Sequence, residues 1–153
     1  MKLSFTTREY AQLLELVYLG MQTVVNMQGE ETPAMKRYAD LEQKLLDLAT
    51  PQGCADLVTV GSDGRLMFSD KMSTDERLGK IIGDHANDSF WRELVHRISD
   101  RDLAAEQVRQ AATGKTGPAI DAELRLRELE DGLWSEFETN DLANVVLLKG
   151  AQG

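Results

Sequence analysis

One stretch limits the folds open to this chain more than any other. From Thr6 to about Met27 the residues read as a single long helix that is apolar over most of its circumference. Thr6 and Glu9 have the spacing of a capping box, in which the Thr hydroxyl accepts from the Glu amide and the carboxylate reaches back. Behind it come Tyr10, Leu13, Leu14, Leu16, Val17, Tyr18, Leu19, Met21, Val24, Val25 and Met27. At 3.6 residues per turn, Arg8, Gln12, Glu15, Gln22 and Asn26 share one narrow polar stripe. Such a helix needs cover on several sides, so the other elements are expected to pack around it. A membrane span would need ~20 apolar residues with few charges. Glu15 and the interrupting amides argue against one, and Glu9 with Glu15 argues against a signal peptide.

Leu19 interrupts the polar stripe between Glu15 and Gln22. It reads either as a lone exposed leucine or as a contact point. Glu15, Leu19 and Gln22 are therefore the interface candidates, for a second copy of the chain or another protein.

At 153 residues the chain is expected to form one globular domain, 1–153, with room for a core. Its 42% apolar and 28% charged residues fit an ordered protein. A net charge of −9 with no basic cluster argues against a nucleic-acid binder. Cys54 is the single cysteine, so no intrachain disulfide can form, and the expected location is cytoplasmic.

Further along, Thr32-Pro33 starts a second helix running to about Ala49, with Tyr38, Leu41, Leu45 and Leu48 as its inner stripe. Residues 56–60 and 65–68 flank Gly61-Ser62-Asp63-Gly64 as a β-hairpin. The acids there lack the spacing of a calcium loop. Between Asp70 and Asn87 the spacing predicts a short helix from Thr74-Asp75-Glu76 through Ile82 or a turn, since Gly79 and Gly83 weaken the helix by ~1 kcal/mol each against alanine. Phe90, Trp91, Leu94, Val95 and Ile98 form the apolar face of the next helix, with a kink or new cap at Ser99–Asp102 and a stop at Thr113-Gly114. Thr116-Gly117-Pro118 opens the last helix, whose stripe is Ala122, Leu126, Leu129, Leu133 and Phe137, ending near Asn140. Asn144–Leu148 reads as a strand that pairs with Lys2–Phe5. The fold class is α+β, predominantly α: helices packed around a buried N-terminal helix, with a β-hairpin and a small sheet pairing the termini.

Chemistry is thin. Gly114-Lys115-Thr116 resembles the end of a phosphate loop, but position 109 is Arg where the motif needs Gly. Asp84, His85, Asp88, Glu93, His96 and Asp100 form the one polar cluster with metal-ligand character. Glu93, His96 and Asp100 stand at three- and four-residue steps on one helix face. The alternative reading for those residues is a solvated, charge-rich face. Acids along the last helix (Asp121, Glu123, Glu128, Glu130, Asp131, Glu136, Glu138), set against Arg125 and Arg127, read as a solvated face or, more sharply, as a surface for a basic partner.

Ser4-Phe5-Thr6-Thr7-Arg8-Glu9-Tyr10 with the helix behind it, and Phe90-Trp91-Arg92-Glu93-Leu94 through Arg101-Asp102-Leu103, resemble small bacterial proteins of unknown function. The resemblance implies a bacterial or phage cytoplasmic origin and carries over no catalytic residue or ligand. Three functions follow: a non-enzymatic interaction module, expected to be homodimeric, with no cofactor; a small metal-dependent hydrolase built on His85, His96 and their acids; or an acidic regulator of a basic partner.

Overall fold

The computed structural model describes residues 3–25, 32–112 and 121–146. Readings that rest on Lys2, Asn26–Glu31, Thr113–Ile120 and Leu147–Gly153 lie outside the described residues, including the phosphate-loop comparison and the Thr116-Gly117-Pro118 helix start. The fold is predominantly α, with a small two-stranded antiparallel sheet. The chain divides into two compact units, residues 1–86 and 87–153.

In the first unit, α1 (Thr7–Val25) starts at the expected capping box. The Thr6 amide donates to Glu9 Oε2 at 2.8 Å, and the Glu9 amide donates to Thr6 Oγ1 at 3.3 Å. Those bonds from Thr6, the backbone amide first, hold the Glu9 carboxyl below its ordinary range. Helix α2 (Pro33–Asp47) is capped by the Thr32 hydroxyl, which accepts from the Met35 amide at 3.2 Å, and proline opens its first turn. The Tyr10 hydroxyl at the start of α1 donates to the Leu45 carbonyl near the end of α2 at 2.7 Å. The two helices therefore run antiparallel.

A 3-10 turn, Ala55–Leu57, leads into β1 (Val58–Val60), which pairs with β2 (Leu66–Phe68) in the register Val60↔Leu66. The hairpin turn closes where the Gly64 amide donates to Gly61 O at 3.0 Å and Asp63 Oδ1 accepts from the Arg65 amide at 3.0 Å. Gly64 has φ +81°, a left-handed conformation that costs glycine nothing. Gly53 (φ +78°) is further constrained, because a Cβ there would lie 3.3 Å from the Thr7 side chain. The Gln43 amide donates to Leu66 O at 2.7 Å and ties α2 to the hairpin. Ser69 begins a short helix, α3 (Asp70–Ser73).

The core of this unit draws Tyr10 and Leu14 from α1, Leu46 from α2, and then Ala49, Cys54, Leu57, Met72 and Leu78. Fully burying a leucine such as Leu14 or Leu46 contributes about 1.5–3 kcal/mol. Cover over α1 is one-sided. Tyr10 and Leu14 are buried, Leu19 packs against the core, and Leu16 is 67% exposed. The inner stripe expected for α2 is likewise turned: Leu46 is buried, whereas Tyr38 and Leu41 are each 54% exposed.

Helix α4 (Glu76–Ala112) overrides two local signals. Asp75 caps it, its Oδ1 accepting from the Leu78 amide at 3.0 Å. It then runs without a break through Gly79, Gly83 and Ser99–Asp102, where a short helix and a kink were expected. Ser99 is fully buried in the helix, so it does not serve as a cap. Propensity penalties of ~1 kcal/mol per glycine are small beside the burial of Leu78 and Val95.

In the second unit, residues 87–112 of α4 pack against α5 (Ala122–Asn140) as an antiparallel pair. Arg125 near the start of α5 meets Glu106, and Phe137 near its end meets Trp91 at 5.2 Å between ring centroids. The Asp121 carboxylate caps α5, accepting from the Glu123 and Leu124 amides at 3.2 Å. Asn140 is its last residue, as the sequence predicts. The expected sheet of the termini does not form among the described residues. Leu3–Phe5 and Asn144–Val146 carry no strand, and the sheet contains β1 and β2 alone. A short apolar run marks a wish for cover, and alternation over three residues does not distinguish a strand from an irregular segment.

Candidate functional site

All six residues of the sequence-derived metal cluster lie on α4, and most are engaged by neighbours. Lys80 Nζ donates to Asp84 Oδ2 at 2.6 Å. Arg97 Nε donates to Glu93 Oε1 at 2.6 Å, and this bond holds the Glu93 carboxyl below the usual carboxylate range. His96 lies between two acids, Nε2 at 3.5 Å from Asp100 Oδ2 and Nδ1 at 3.7 Å from Glu130 Oε1. His85 and Asp88 are exposed. Among the described residues, no three His, Cys, Asp or Glu side chains come together as a set that could hold a metal ion. Spacing at i, i+3 and i+4 placed carboxylates near His96. The same spacing supplied Lys80 and Arg97 as their partners.

The interface stripe on α1 is also occupied from within. Arg77 Nη2 donates to Glu15 Oε1 at 2.6 Å, a bond that raises the guanidinium pKa further. Leu19 is half-buried against the core of its own unit, and Gln22 is half-buried. The Glu15–Arg77 pair spans 62 positions of sequence, so no local pattern could reveal it. Cys54 is buried, its Sγ 3.5 Å from the Thr7 carbonyl oxygen, and burial pushes the thiol pKa up. A protonated, enclosed thiol is a poor nucleophile.

The seam between α1 and α2 is open to solvent. Val17, Gly20, Met21 and Val24 follow i, i+3, i+4, i+7 along α1. Tyr38, Leu41, Glu42 and Leu45 follow the same steps along α2. Together they line an open groove of about 260 Å³. Glu42 is the one carboxylate, and there is no basic side chain, among the described residues of that lining. Burial raises its pKa, and the nearby Arg65 charge only partly offsets the rise. Nothing among the described residues fills the space above Gly20, where an added Cβ would have no neighbour within 4 Å. The stripe Tyr38, Leu41 and Leu45 was legible as apolar. Its direction was not, because α2 has apolar residues on a face wider than the core can cover.

No family model matches the chain, and no curated protein or solved structure shows significant similarity to it. No helix among the described residues is long and apolar enough to cross a membrane.

Proposed function

We propose that this chain is a non-enzymatic interaction module that pairs with a second copy of itself through the groove between α1 and α2. The observation that carries the proposal is the pair of matched apolar seams, each with helical spacing, left uncovered on adjacent helices. A helix laid in such a groove reads i, i+3, i+4, i+7 positions. About a two-fold axis, the α1–α2 hairpin of one copy meets the same hairpin of the other, giving a four-helix arrangement. Charge supports a copy as the occupant. Two chains of net charge −9 repel each other, so they associate best through a face almost free of ionised groups. The groove is such a face, and its one carboxylate is already biased toward the neutral form. The buried, unpaired thiol of Cys54 and the resemblance noted in the sequence are consistent with a role in a bacterial cytoplasm.

Light scattering across a dilution series tests the proposal. The wild-type chain should weigh twice the monomer at high concentration. Leu41→Asp should reduce it to a monomer with an unchanged circular-dichroism spectrum, since Leu41 is half-exposed within its own chain. Leu16→Asp, which lies outside the groove, should leave the dimer intact. A strict monomer for the wild type contradicts the proposal.

A further inference from the structure

The second unit holds a pocket of a different character. Near the end of α5 a cavity of about 540 Å³ is lined by Trp91, Trp134, Phe137, Glu138, Asn140 and Asp141, among others. That volume lies in the range of small-molecule pockets, ~300–1,000 Å³. Three of these side chains are aromatic, with Trp91 and Phe137 packed at 5.2 Å and tilted by 43°. Two are carboxylates, and neither Glu138 nor Asp141 pairs with a basic group among the described residues. The neighbouring Glu136 is engaged, accepting from the Asn140 and Asn144 amides at 3.0 and 2.7 Å.

We propose that this pocket binds an alkylated ammonium cation. Aromatic faces attract cations, tryptophan most strongly. A quaternary ammonium group is weakly hydrated and apolar at its periphery, so it suits rings better than a small hydrated ion does. The two free carboxylates supply the countercharge. An anion would meet both of them, and a neutral apolar ligand would desolvate them without return. A bare metal ion lacks its ligands, because no three-ligand set exists here among the described residues. Asp141 adopts φ 51° and ψ −133°, a conformation rare outside glycine, and so holds an acidic side chain at the pocket lining at some cost in backbone strain. The pocket belongs to the 87–153 unit, and the proposal stands or falls independently of the α1–α2 groove.

The chain's 2 tryptophans both line this cavity, so its intrinsic fluorescence reports on it directly. The test titrates the full chain with choline, with a peptide carrying trimethyllysine, and with 3,3-dimethylbutan-1-ol, the uncharged isostere of choline. A saturable fluorescence change with choline or the peptide is expected, with the isostere at least about tenfold weaker, a difference of about 1.4 kcal/mol. Preference for choline marks a free small molecule as the ligand, and preference for the peptide marks a modified protein; both support the site. Glu138→Gln with Asp141→Asn should weaken the cation about tenfold and leave the isostere unchanged. Equal binding of cation and isostere by the wild-type chain, or no saturable change with either cation, overturns the proposal.

Discussion

The two units solve the problem of burial differently. Residues 1–86 gather a core from α1, α2, the hairpin connections, α3 and the first turn of α4, with Tyr10, Leu14, Leu46, Cys54, Met72 and Leu78 all sealed. In residues 87–153 two helices face each other, and among the described residues there only Val95, Ser99 and Phe137 are buried. There the helix pairing is reinforced by charge: Arg125 forks onto Glu106 with bonds of 2.9 and 2.8 Å and also reaches Glu128 at 2.8 Å. A many-element core tolerates a strained or polar position at its edge because other contacts hold. A two-helix seam has few contacts to lose, and it carries its aromatic residues partly in the open.

That contrast can be broken most easily at Leu14. Leu14→Ala should destabilise the first unit by about 2–5 kcal/mol, read as a lowered urea midpoint for probes in residues 1–86. Ser99 sharpens the other side of the comparison. Its hydroxyl is buried with no hydrogen-bond partner among the described residues, so Ser99→Ala should stabilise the α4–α5 pair by about 1 kcal/mol, visible as a higher melting temperature. A loss of stability on that change would mean that the hydroxyl has a partner.

The Arg125 latch should respond to pH and salt with a smaller amplitude. The bond from Arg125 holds the Glu106 carboxyl below its ordinary value. Its contribution is therefore present above the unfolded carboxylate pKa and fades as pH falls through the lower folded value. Arg125→Met should erase that acid dependence and the accompanying salt sensitivity in denaturant titrations.

Glu42 runs in the opposite direction, with the smallest expected effect. Its pKa is raised in the fold, so the folded chain keeps a proton that the unfolded chain has released. Stability then falls as pH climbs from the unfolded carboxylate value through the raised one. Glu42→Gln should stabilise the first unit at neutral pH and make no difference at pH values below the ordinary range. If the groove is the pairing face, wild-type association should also tighten on acidification over the same window, and the Gln variant should lose that dependence.

Local signals in the sequence were reliable where the chemistry was local. Thr6 with Glu9, Thr32 with Pro33, and Gly61–Gly64 each satisfy neighbouring backbone groups, and each stands where the spacing placed it. Gly79, Gly83 and Ser99–Asp102 misled for the same reason, since their local preferences were outweighed by packing along α4. Direction was harder to read than periodicity. A helix as apolar as α1 does not announce which side faces its own fold, so Leu19 was suspected of exposure while Leu16 is the residue in solvent. The metal cluster was legible as chemistry alone, and the i, i+4 spacing that grouped its residues also offers Asp84 to Lys80 and Glu93 to Arg97. The Trp91–Phe137 contact joins two helices through sequence-distant residues, so the pocket beside it had no signature in the sequence.

The most direct measurement is isotope-filtered NMR on a sample mixing methyl-labelled and unlabelled chains. Pairing through the groove predicts intermolecular NOEs linking the Met21 and Leu41 methyl groups to the partner chain, with none from Leu14. Absence of any intermolecular NOE at Met21 and Leu41 at a concentration where the chain is dimeric, or NOEs confined to residues outside α1 and α2, would contradict it.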